Sequence, residues 1–78
     1  MNPRFPRDLA KKDVIRALAN LGFAIDRERE HIALVRPSES GSTLLILPNH
    51  RRIKMVTLLN ACSRAGIARE DILRALGS

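Results

Sequence analysis

Apolar residues recur along this chain in two rhythms, and each change of rhythm marks a boundary. Val14, Ile15, Leu18 and Leu21 fall on one stripe, with Lys11, Lys12, Asp13, Arg16 and Asn20 away from it. That spacing predicts an amphipathic helix beginning near Leu9. Asp8 is positioned to cap it, and Gly22 to end it in a left-handed conformation. Phe23 to Glu28 then alternates with the period of a strand. His31 to Arg36 reads as a second strand, Pro37 to Gly41 as a turn, and Ser42 to Leu47 as a third strand stopped by Pro48-Asn49. The helical rhythm returns over Met55 to Ala65, where Met55, Leu58, Leu59 and Cys62 share a face, and Gly66 follows as terminator. A last short helix, Arg69 to Leu76, presents Ile72, Leu73 and Leu76.

The order is α-β-β-β-α with an extra C-terminal helix. This predicts an α+β fold, a three-stranded antiparallel meander with helices on one face. Pro3 and Pro6 make residues 1–8 an extended arm, and residues 9–78 a single domain. No internal repeat and no Gly-rich phosphate loop stand out. Ile32 and Leu34 are the better core residues of the second strand, so His31, Ala33 and Val35 should face the other way. The third strand, Leu44-Leu45-Ile46-Leu47, is apolar on both sides. Its second face should therefore meet a partner protein or another copy of the chain.

Hydrophobic residues are 45% of the chain but aromatic ones only 3%, so the core must be aliphatic. A chain of 78 residues buries only roughly 60% of its unfolded surface, and its stability should be modest. No run of about 18 apolar residues is present to span a bilayer, which makes the cytoplasm the expected location. Cys62 has no partner for an internal disulfide and reads as a buried thiol.

Fourteen Lys and Arg against eight Asp and Glu give a net charge of +6. Such a field attracts polyanions, nucleic acid above all. No carboxylate occurs between Glu39 and Glu70, whereas Arg51, Arg52 and Lys54 cluster at the start of the second long helix. Cations there oppose the helix dipole unless an anion joins them, so the cluster is a candidate phosphate site. With no Trp or Tyr to stack on bases, phosphate contacts should dominate RNA affinity.

The candidate chemical group is His31, at the end of Arg27-Glu28-Arg29-Glu30 and the start of a strand. Histidine exchanges protons near neutrality. Chemistry at a phosphate would call for a base, an acid and cations for the developing negative charge. Arg27, Arg29 and Lys54 are candidates for that last role. His50, after the third strand, is an accessory candidate. No cluster of metal-site spacing occurs, and no cofactor is called for.

The element order, Gly22-Phe23 at the first helix–strand junction, His31 opening the second strand and Pro48-Asn49-His50 after the third together resemble HicA-type toxins. Lys54-Met55-Val56-Thr57-Leu58 and Ala65-Gly66-Ile67-Ala68-Arg69-Glu70-Asp71 are similar to that family's closing helices. The resemblance covers roughly residues 9–76. It implies a double-stranded-RNA-binding-domain-like fold, a ribosome-independent mRNA endonuclease with His31 as catalytic residue, and a HicB-type antitoxin covering the active face. Where the family usually reads Gly-Ser-His, this chain has Arg29-Glu30-His31, which sets a carboxylate beside the histidine. A toxin relative reduced to a non-catalytic double-stranded-RNA-binding module is the alternative reading.

Overall fold

The computed structural model describes residues 7–77. In chain order the elements are β1 (Asp8–Ala10), α1 (Lys11–Asn20), β2 (Ala24–Glu28), β3 (His31–Ser38), β4 (Gly41–Pro48), β5 (Arg52–Lys54), α2 (Met55–Arg64) and α3 (Arg69–Leu76). β2, β3 and β4 form the expected antiparallel meander, with β3 central, and the class is α+β. A second, two-stranded ladder joins β1 to β5.

Alternation along the two longer strands decides where the core lies. Ile32 and Leu34 of β3 pair with Leu47 and Leu45 of β4, and all four are buried. Directly opposed residues share a face, so these four make the inner face of the sheet. Val14 and Leu18 of α1, Leu58 and Cys62 of α2, Ile72 of α3 and Ile53 of β5 complete the same cluster. Each fully buried aliphatic side chain contributes about 1.5–3 kcal/mol. The outer face stays open: Leu44 and Ile46 are 54% and 51% exposed.

Several local expectations give way. The first six positions of the expected arm lie outside the described residues, and Asp8, its last, belongs to β1. Asp8 does not cap α1; the N-cap is Ala10, with no side-chain cap bond. The Lys11 N–H instead donates to the Arg51 carbonyl at 2.9 Å. Pro37 lies inside β3 opposite Ser42 rather than in the turn, which shrinks to Glu39-Ser40. Proline is tolerated there because β2 ends at the Ala24–Val35 pair, leaving one side of β3 free.

A repeat also emerges, against expectation. β1-α1 and β5-α2 are the same unit, offset by the 44 positions that separate Asp8 from Arg52. Each has three strand residues leading straight into a ten-residue helix. Gly22 and Gly66 follow the helices at φ +96° and +78°, and buried Phe23 and Ile67 come next. The antiparallel ladder relates the copies by a local two-fold centred on the Leu9–Ile53 pair. As Lys11 bonds Arg51, so the Met55 N–H donates to the Arg7 carbonyl at 2.7 Å. Each helix thus has its first N–H satisfied by the residue just before the opposite strand.

Candidate active site

His31 stands where β3 begins, paired with Pro48 of β4, and its side chain is exposed. The connection from β2 runs through Arg29 and Glu30, and several hydrogen bonds fix it. The Arg29 N–H donates to the His31 carbonyl at 3.0 Å, and the Asn49 N–H to the Glu30 carbonyl at 3.1 Å. Asn49 Nδ2 donates to the Arg29 carbonyl at 2.6 Å. Asn49 Oδ1 in turn accepts from Lys11 Nζ at 2.8 Å, and the same ammonium lies 3.1 Å from Glu28 Oε2. One asparagine therefore ties the histidine loop to the segment after β4 and, through Lys11, to the start of α1.

An irregularity in β2 adds a cation to the same face. Ile25 pairs with Leu34 but Arg27 with Ala33, so Asp26 is an extra residue, a β-bulge. Unbulged pairing would set Arg27 opposite Ile32, on the core face. The bulge instead puts Arg27 opposite Ala33, on the outer face with His31. Glu28 falls opposite Ile32 at the sheet margin, where its carboxylate meets Lys11.

The basic cluster divides. Arg52 is engaged by Asp8, with Nη2 and Nε at 2.6 and 3.0 Å from Oδ1. Arg51 and Arg52 line an open groove with Lys11 and Lys12, on the side of Asn49 and the histidine loop. Lys54 lines a different groove, with Arg7 and Arg69. Lys54 is the N-cap of α2 and makes no side-chain cap bond; that helix has no acid in its first turn. Arg51 and Arg52 thus open on one groove and Lys54 on another. His50 is exposed in the loop between Asn49 and β5. Among the described residues, no group of three or more His, Cys, Asp or Glu is placed to hold a metal ion.

A family model, that of the HicA toxin of bacterial toxin-antitoxin systems, matches residues 12–67. The chain belongs to the HicA toxin family. No curated protein and no solved structure matches it. Membership makes this a toxin component whose partner is an antitoxin protein. No helix among the described residues is long and apolar enough to cross a membrane.

Within this HicA chain the residues that organise the loop are not those that sequence singles out. Asn49 reads in sequence as a strand stop, Lys11 as one of several helix-surface lysines, and Asp26 as a strand residue like its neighbours. The only sequence sign of Asn49 is its place in the Pro48-Asn49-His50 run. Nothing in the sequence marks the bulge.

Proposed function

We propose that this toxin is a ribosome-independent mRNA endonuclease acting in the cytoplasm without a metal, with His31 as its catalytic residue. The observation that carries the reading is an exposed imidazole on a loop held by Asn49 and Lys11, with Arg27 turned onto the same face by the Asp26 bulge. Rigid support of this kind is what a proton-transfer group needs to meet its target in one geometry.

In this reading His31 takes the proton of a ribose 2′-hydroxyl. That oxygen attacks the adjacent phosphorus, and the bond to the 5′-oxygen of the next nucleotide breaks. A 2′,3′-cyclic phosphate remains on one fragment, and the departing oxygen receives a proton, for which His50 is the accessory candidate. Arg27 and Arg29 offset the charge on the phosphate oxygens, while Arg51, Arg52 and Lys54 guide the backbone by charge. The nucleophile is the substrate's own, so the chemistry does not demand a metal. A HicB-type antitoxin silences the toxin by covering the outer sheet face, where exposed Leu44 and Ile46 supply apolar contact.

The second reading, a non-catalytic double-stranded-RNA-binding module, draws on Glu30. Its exposed carboxylate beside His31 repels phosphate.

Induced expression of the wild type and of His31→Ala, with mRNA integrity followed in parallel, tests the proposal. Arrest with mRNA fragmentation by the wild type alone is the expected result. Fragmentation by both proteins would remove His31 from the chemistry. Salt-sensitive RNA binding by purified protein without scission would establish the binding module instead.

A further inference from the structure

The repeat provides a comparison inside one molecule. Its two copies share a backbone and a burial pattern: Val14 corresponds to Leu58 and Leu18 to Cys62, all buried, while Lys12 corresponds to Val56, both exposed. At the exposed positions the chemistry differs. The groove beside α1 is lined by Lys11, Lys12, Arg51 and Arg52. The equivalent positions beside α2 are Met55, Val56, Arg7 and Asp8, and these line a groove of about 810 Å³.

Folding does not explain the second set. Lys12 shows that an exposed cation serves at this helix position, yet its counterpart Val56 is apolar and 60% exposed, more than any other large hydrophobic residue described. Met55, Val56 and Leu59 form an apolar floor, and Arg7, Lys54 and Arg69 stand around it. The one carboxylate at the groove, Asp8, is held by Arg52 at 2.6 Å. α2 itself contains no Asp or Glu. A ligand here must offer apolar side chains to the floor and negative charge to the rim.

We propose that this groove docks an acidic, partly apolar segment of the antitoxin, at a site separate from the histidine loop. The family supplies the partner, and the surface supplies its chemistry. RNA matches only half of it: three cations suit phosphates, but an aliphatic floor gives bases nothing to stack on. A protein segment with carboxylates flanking apolar residues satisfies both halves. None of His31, Arg27, Arg29, Glu30 or His50 lines the groove. The toxin is therefore held at one place and silenced at another, and the two can be separated by mutation.

The separateness rests on the nuclease reading; the docking itself does not. The experiment is calorimetric titration of the partner antitoxin into wild type, Val56→Asp, the double variant Lys54→Glu/Arg69→Glu and Lys12→Glu. All these positions are exposed, so each variant should fold, which circular dichroism checks. The groove variants should weaken binding about tenfold or more, as loss of a central anchor does. Lys12→Glu, at the equivalent position of the other copy, should bind within about twofold of wild type. Near-wild-type binding by both groove variants overturns the proposal. So does a single-stranded RNA probe that loses affinity in Val56→Asp, the groove variant that leaves every cation in place, as strongly as the antitoxin does, since the groove would then belong to the nucleic-acid surface. Because binding is read without cleavage, a protein that cleaves nothing still gives an answer.

Discussion

Asn49→Ala removes the tie beneath the histidine loop while leaving the backbone bond from Asn49 N–H to the Glu30 carbonyl. Two side-chain hydrogen bonds go: Nδ2 to the Arg29 carbonyl at 2.6 Å and Lys11 Nζ to Oδ1 at 2.8 Å. A net contribution of about 0.5–1.5 kcal/mol is ordinary for the first. The second involves a charged donor, but Lys11 keeps Glu28 and water, so it counts at the low end, about 0.5–1 kcal/mol. The sum is about 1–2.5 kcal/mol. With a urea dependence of about 1 kcal/mol per molar for so small a chain, the unfolding midpoint should fall by about 1–2.5 M.

Asn49→Asp sharpens the test. It keeps an oxygen for Lys11 and adds charge there, but sets a second oxygen against the Arg29 carbonyl. If Nδ2 is what holds the loop, the aspartate should not rescue the alanine, either in midpoint or in RNA cleavage. Equilibrium urea unfolding followed by circular dichroism, with cleavage of a defined RNA alongside, reads both effects. An alanine variant with an unchanged midpoint and full cleavage would refute the reasoning, because the loop would then hold His31 without Asn49.

Gly22→Ala and Gly66→Ala each place a side chain at positive φ and should cost about 1 kcal/mol or more in thermal unfolding. Gly22 should suffer more. A Cβ there meets Arg36 Cδ at 3.2 Å, and Arg36 is held by the Leu21 carbonyl and the Phe23 ring, whereas a Cβ at Gly66 meets open space. Equal losses would count against that contact. Burial raises the Cys62 thiol from 9.0 to about 11, so the unfolded chain gives up its proton first as pH rises. The resulting stability is fully present below about pH 9 and disappears as pH climbs through about 11; urea midpoints measured up that range should fall more steeply for wild type than for Cys62→Ala. Parallel pH profiles would mean that the thiol is not the cause.

Helices, meander and core direction were all legible in the sequence because each is a local matter. The stripe through Val14 and Leu18 and the alternation of Ile32 and Leu34 with smaller or polar neighbours already say which side must leave water. Gly22 and Gly66 likewise announce their left-handed turns. The site was legible only to the extent that His31 could be placed at a strand start, facing away from the core.

What sequence could not decide depends on pairings across long separations. β1 and β5 have only three residues each, too few to show a period, and exist because Leu9 and Ile53 meet across 44 positions. The repeat was hidden for a related reason: its copies agree in burial, while only positions such as Ala17 and Ala61 or Gly22 and Gly66 agree in identity. Arg52 looked like a free cation until the ladder brought Asp8 to it. Arg27 reaches the face of His31 only because β2 takes one residue more than β3 at Asp26. Asn49 supports the histidine loop only because β4 returns beside β3. Sequence determines which residues avoid water; the meeting of distant strands determines which polar groups become neighbours, since hydrogen bonds need a geometry that only the assembled backbone provides.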